Sequence, residues 1–220
     1  MRLWLCAMLI LILPAPALAG AWLQDERTGF LSVSGTLRDS ASGRMQEGSV
    51  YATYGLRPRL TLGFDAFHDL TGSGHVLLFA RLPLGRGEGP ARMSVELGLG
   101  GHHKAGTWAP MAKAALGWGR SLEGRLGQGW LDLSGSVEHR AGEPALAWKL
   151  DATLGLSGEA LFRPMLQAGL GRTTAGGSEW RASAHLLIGR NPHQTWVLGI
   201  ERKDSGGAST ALSLALWRRF

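Results

Sequence analysis

The sequence predicts an all-β protein, a closed antiparallel transmembrane β-barrel of about twelve strands behind an N-terminal signal peptide. Three observations carry this expectation. The chain opens with an apolar run too short to span a bilayer; beyond it, apolar side chains alternate with small or polar ones in stretch after stretch; and 33 glycines and 9 tryptophans accompany a charged fraction of only 18%. No later apolar run approaches the roughly 18 residues of a membrane helix. A membrane location therefore means strands, and strands in lipid must close on themselves, because an open edge leaves N–H and C=O groups unsatisfied.

The signal peptide is read from Arg2, the apolar run Leu3 to Leu13, Pro14, Pro16 and the small-residue pattern Ala17-Leu18-Ala19, with cleavage expected after Ala19. A membrane anchor is excluded, since a spanning helix needs roughly 20 apolar residues. The expected organisation is a signal peptide over residues 1–19 and one barrel over residues 20–220. Cys6 is the only cysteine and leaves with the signal, which removes disulfides, thiolate metal sites and cysteine nucleophiles from consideration. The formal charge of +6 comes from basic residues scattered among acidic ones, a pattern that argues against a nucleic-acid partner.

Strands follow from the period of two, punctuated by Gly, Pro, Asn, Asp and Ser. The stretches are Gly29 to Arg38, Gly48 to Leu56, Leu60 to Asp69, His75 to Leu84, Ala91 to Gly100 and Pro110 to Arg120. They continue with Gly129 to Arg140, Leu146 to Leu156, Met165 to Thr173, Trp180 to Arg190, Thr195 to Lys203 and Ser209 to Phe220. Each is close to the length a tilted membrane strand needs, and an even number puts both chain ends on the periplasmic side. Arg57-Pro58-Arg59 and Arg190-Asn191-Pro192-His193 are expected as periplasmic turns, and Thr71-Gly72-Ser73-Gly74 and Ser205-Gly206-Gly207 as outer ones. The longest outer loop is expected over residues 101–109, and connections this short leave no room for a plug domain or a constriction loop. Pro164 has no N–H to give a ladder, so its strand is expected to begin at Met165.

The two strand faces differ. One parity collects residues such as Leu62, Phe64, Leu78, Leu97, Leu99, Leu133, Leu150, Leu170 and Ile200, with Trp118, Trp148, Trp180 and Trp196 near strand ends, as lipid contact and aromatic girdles require. The other holds Gly63, Gly98, Gly117, Gly119, Gly155, Gly169 and Gly199 with most of the strand charges. A soluble sandwich shows the same alternation with its bulky face inward. The C-terminus separates the two. Leu212, Leu214, Leu216 and Phe220 resemble the terminal-strand signal by which outer-membrane barrels are recognised for insertion, with Arg218 departing from it. The resemblance implies the outer membrane of a Gram-negative bacterium, with outer-membrane lipid and the barrel-assembly machinery as partners. Tyr54-Gly55-Leu56 followed by Arg59-Leu60-Thr61-Leu62-Gly63 is similar to a strand-turn-strand signature of the small barrel family named for the MetA pathway of phenol degradation, with Pro58 in place of an acidic turn residue. That similarity implies fold and no substrate.

On the inward face, consecutive strands carry Asp65, Arg81, Glu96, Lys113, Asp132 and then Lys149 with Asp151, so that charges of opposite sign are cross-strand neighbours. A lumen-lining belt of ion pairs is expected, continued by Arg163, Gln167, Arg181, His185, Glu201 and Arg219. Twelve strands about 4.8 Å apart and tilted by about 40° give a backbone diameter of roughly 24 Å, and inward side chains leave at most roughly 10 Å clear. The expected function is a narrow pore for passive passage of small polar solutes or ions. The alternatives are a filled structural barrel without transport and a lipid-modifying outer-membrane enzyme. None of the seven histidines lies in a nucleophile motif, and Gly98 to Gly101 lacks the Lys and Ser or Thr of a phosphate loop, so no catalytic residue is expected. His102 and His103 are expected as solvated loop residues, with no metal site and no cofactor.

Overall fold

A computed structural model describes residues 21–41, 43–85, 89–125, 127–143, 145–191 and 193–220. The expected signal peptide and its cleavage site lie outside them, as does Pro192 of one expected turn. Twelve antiparallel strands form one closed sheet: β1 (Gly29–Ser40), β2 (Gly43–Arg57), β3 (Leu60–Asp69), β4 (Ser73–Pro83), β5 (Ala91–Lys104) and β6 (Thr107–Gly124). β7 (Gly127–Arg140), β8 (Ala147–Leu156), β9 (Phe162–Thr173), β10 (Ser178–Ile188), β11 (Gln194–Asp204) and β12 (Ala208–Arg219) complete it. Each strand pairs with its chain neighbours, and β12 returns to β1 in unbroken register from Phe30 opposite Arg219 to Ser40 opposite Ser209. No edge remains, which is what the alternation demands of a sheet whose outer face is apolar. The start of β1 and the C-terminus lie at one end, where the Gly29 amide donates to Phe220 O (2.7 Å) and the Phe220 amide to Gly29 O (3.0 Å). We refer to this as the terminal end and to the other as the far end.

The register assigns every side chain a face. Leu78, Leu99, Leu97, Leu150 and Leu212 share the outer face, and with Leu99 at 72% and Leu78 at 65% exposure nothing among the described residues covers them. An apolar band of this extent around the whole circumference is a lipid contact. Trp108, Trp148 and Trp180 stand outward near the far end, Trp118 and Trp196 toward the terminal end, forming two girdles.

Four expectations change. Residues 101–109 are not a loop: β5 and β6 continue through them to a two-residue turn, Ala105-Gly106, with both residues at positive φ (49° and 83°). The long ladder from Ala91 opposite Arg120 to Lys104 opposite Thr107 stabilises this turn, which suits the twist of a hairpin. The longest outer connection is instead 141–146. His102 and His103 are consequently strand residues, the first buried with Nε2 3.1 Å from Ala141 O, the second outward with Nε2 3.3 Å from His68 Nδ1. Pro164 lies within β9, opposite Leu186 of β10. The ladder to β8 begins only at Met165, so Pro164 has a free side where a missing N–H is harmless.

The fourth change concerns the interior. Among the described residues there is no plug domain, yet the eight residues Ala21–Thr28 preceding β1 enter the barrel. A register shift between Gly55 and Arg57 marks where this segment meets the wall, and a Cβ on Gly55 would lie 2.0 Å from Asp25 O. Glycine at this position lets two backbones touch.

Candidate functional site in the lumen

The lumen divides into a filled half and an open half. In the filled, terminal half, the Ala21 amide donates to Asp132 Oδ2 (2.8 Å), the Gln24 amide to Thr61 Oγ1 (2.9 Å) and Gln24 Nε2 to Thr53 Oγ1 (2.9 Å). Arg81 Nη1 donates to Trp22 O (3.3 Å), the Arg27 amide to Gly55 O (2.8 Å) and the Gly55 amide to Thr28 O (2.9 Å). Trp22 is buried with Trp130, Met165, Leu187 and Val197, and Ala215 and Trp217 pack against that cluster. The wall is shaped around these rings. A Cβ on Gly119 would lie 2.3 Å from the Trp22 ring, and one on Gly155 2.8 Å from the Trp130 ring.

Mid-barrel, four inward side chains form one network. Arg81 Nη2 lies 2.7 Å from Glu96 Oε2 and donates to the Tyr51 hydroxyl (2.8 Å), and Lys113 Nζ stands 3.3 Å from Glu96 Oε1. Arg81 and Glu96 are nearly inaccessible, so each neutralises a charge that could not otherwise stay there. Phe79 stacks on Tyr51 and lies under the Arg81 guanidinium.

The far half is lined by a second set of pairs: Arg38 with Glu47 (2.6 Å) and Glu201 (2.7 Å), Lys149 (2.9 Å) and Arg140 (3.1 Å) with Glu138, Arg181 with Asp151 (2.7 Å) and Lys203 with Glu179 (3.0 Å). All but Arg38, Glu47 and Glu201 line a cavity of about 650 Å³. A second cavity of about 430 Å³ shares Ser49, Phe67, Glu179, Arg181 and Lys203 with it and reaches down to Met165, Val197 and Trp217, the upper surface of the filled half.

The expected belt residues thus fall into different settings. Arg81, Glu96 and Lys113 come together, as do Asp151 and Arg181; Asp65 faces His75 at 3.6 Å. Lys149 and Glu201 take partners absent from the expected belt, Glu138 and Arg38. Asp132 receives the Ala21 amide, Arg163 donates to Gly158 O and Thr195 Oγ1, and His185 meets Ser183. Gln167 donates to Thr153 Oγ1, and Arg219 lies inward beside Trp217 on β12. Sequence reasoning missed Arg38, Glu47, Tyr51, Glu138, Arg140, Glu179 and Lys203, all inward by parity, and missed the apolar cluster. That cluster does leave a trace in the sequence. Alternation fails at Leu186-Leu187-Ile188 and Trp196-Val197-Leu198, where a bulky inward residue of the cluster interrupts the polar face.

No family model and no curated protein matches the sequence. Solved structures do match its backbone. The NanC porin superposes with a TM-score of 0.63 at 10% identity, covering 84% of this chain and 98% of that one. The chain has a porin-type barrel fold. The KdgM porin gives 0.64 at 7% identity over 87% and 99% of the two chains, and an outer-membrane channel from Pseudomonas putida F1 gives 0.60 at 12% over 91% and 97%. The barrel therefore accounts for nearly the full length of each of these proteins, and at such identities the likeness is one of backbone.

Proposed function

We propose that this chain is a pore in the outer membrane of a Gram-negative bacterium, for passive passage of small polar solutes or ions, with residues 21–28 closing its periplasmic end in the conformation described. The polar cavity at the far end carries this reading. Charged side chains from Glu138, Arg140, Lys149, Asp151, Arg181 and Lys203 surround open space there, whereas a purely structural barrel gains stability by filling that space. The porins that share the fold support it, one of them described in complex with disordered oligogalacturonate. In this chain each cavity cation named above has a carboxylate within 3.1 Å, which favours polar solutes of little net charge over a strongly anionic cargo.

The belt of Asp65, Arg81, Glu96, Lys113, Asp132, Lys149, Asp151, Arg163, Arg181 and Glu201 is then the lumen lining, divided between a structural mid-barrel network, the cavity walls and, for Asp132 and Arg163, the filled terminal half. Leu212, Leu214, Leu216 and Phe220, on the strand that closes the barrel, are the proposed insertion signal for the barrel-assembly machinery. Phe220→Ser is expected to lower the assembled yield in cells while leaving refolding into detergent intact. Similarity to the MetA-pathway family stands on the β2–β3 hairpin around Pro58 and Arg59.

Single-channel recording in a planar bilayer, on protein beginning at Gly20, tests the pore. Discrete conductance steps whose ion preference shifts on Lys203→Met or Glu179→Gln are expected. Silence from folded protein favours a filled structural barrel, the reading that the apolar cluster beneath the cavity supports.

A further inference from the structure

We propose that His68 and His103 form a binding site for one divalent transition-metal cation of tetrahedral preference, Zn²⁺ first among them, on the outer surface at the far end. The site goes beyond the pore and does not depend on it, because it lies on the other side of the wall from the lumen. The two histidines are 35 residues apart in the chain and are brought together by the sheet. His68 of β3 pairs with Gly74 of β4, and Gly74 pairs with His103 of β5, so the three stand in one outward row. Glycine occupies the middle position. A Cβ there would lie 2.7 Å from His103 Nε2 and 3.1 Å from His68 Cα, so the bare backbone is what lets the two rings meet above it.

Their spacing suits a shared cation. His68 Nδ1 and His103 Nε2 are 3.3 Å apart, longer than the about 2.7–3.2 Å of an ordinary hydrogen bond from nitrogen. Two imidazole nitrogens each about 2.0 Å from a tetrahedral Zn²⁺ stand about 3.3 Å apart. The second ring is also turned the right way. His103 Nδ1 lies 3.0 Å from Gly72 O, which can only accept, so Nδ1 carries the proton and Nε2 presents its lone pair toward His68. A ring N–H donated to a backbone carbonyl is the means by which metal-bound histidines are held in orientation. Gly72 O is itself fixed by the Ala105 amide (3.0 Å), and the Trp108 ring packs against His103 with centroids 4.6 Å apart. Asp69, next to His68, accepts from the Thr71 and Ser73 amides (3.0 Å each) and adds a fixed negative charge beside the pair. His68 is exposed, so the remaining coordination positions open to water.

The test is Zn²⁺ binding by the folded, detergent-solubilised barrel, read by titration calorimetry and by peptide-mapped modification with diethyl pyrocarbonate. Zn²⁺ is expected to slow modification of His68 and His103 together, and to leave the exposed His139 and His193 at their metal-free rates. His68→Ala and His103→Ala are each expected to weaken Zn²⁺ binding at least about tenfold, since loss of an outer partner alone costs that much. Gly74→Val, which keeps both histidines and forces their rings apart, should weaken it as well. Heat-modifiable migration on a detergent gel reports folding of each variant. Absence of Zn²⁺ binding by the parent protein overturns the proposal, and so does affinity unchanged in folded His68→Ala and His103→Ala. Protection of His139 and His193 as strong as that of the pair shows only scattered surface binding and overturns it too. Unprotected His68 and His103 in the presence of Zn²⁺, the result if the two rings merely share a proton, has the same meaning.

Discussion

Trp22→Ala tests how firmly the lumen is closed. A buried tryptophan removes about 200 Å² from water and at about 25 cal/mol per Å² contributes about 5 kcal/mol. Six hydrogen bonds tie residues 21–28 to the wall, and at about 1 kcal/mol each they add about 6 kcal/mol. Ordering eight backbone residues at about 1.5 kcal/mol apiece costs about 12 kcal/mol. The terms cancel to within a few kcal/mol, so the segment sits close to balance between seated and released. Truncating Trp22 to alanine removes about 4 kcal/mol of the favourable side, which at about 1.4 kcal/mol per decade shifts the equilibrium by roughly a thousandfold toward release. In a planar bilayer the variant is expected to be open for nearly all of the record at a constant step size, where the parent protein switches between closed and open. A variant that is folded by heat-modifiable migration yet shows the parent's open probability would refute both the ledger and the assignment of residues 21–28 as the closing element.

Arg81→Ala strips Glu96 and the Tyr51 hydroxyl of their shared partner and leaves Glu96 with Lys113 alone. A loss of about 3–5 kcal/mol is expected, read as a lower urea midpoint for the refolded barrel; an unchanged midpoint counts against the mid-barrel network. Gly63→Val places a Cβ 2.0 Å from Phe79 Cζ and should cost about 1–3 kcal/mol, whereas Gly35→Ala, with nothing within 4 Å, should be silent in the same titration. Leu97→Arg alters an outward side chain at 62% exposure. In lipid it should destabilise by about 2–4 kcal/mol, and a negligible effect would show that this face does not meet hydrocarbon.

The barrel was legible because its determinants are local. Alternation in each stretch fixes which residues face out, so Leu62, Phe64, Leu97 and Leu170 could be assigned without knowing any stagger. Pairing needs the stagger. Lys149 could be placed on the inner face by parity, but only the ladder reveals that it reaches Glu138 of β7 rather than Asp132 six residues earlier on the same strand. Residues 101–109 read as a loop by composition, yet pairing from Gly101 opposite Pro110 to Lys104 opposite Thr107 keeps all but Ala105 and Gly106 in the sheet. Residues 21–28 carry no period of two, and a non-periodic stretch has no sequence property that distinguishes a tail in solvent from one buried among Asp132, Thr61 and Trp130.

The turns at the far end have a consequence for how a cell would use such a protein. Ala105-Gly106 joins two strands directly, and the longest connection on that side is 141–146. Nothing there is long enough to fold over the mouth, and little is presented for an antibody or a phage to grip. In the proposed orientation the blocking segment, residues 21–28, is at the opposite, periplasmic mouth. Decisions about entry would be taken where the cell's own proteins can reach them, and the surface turned to the environment would be almost mute.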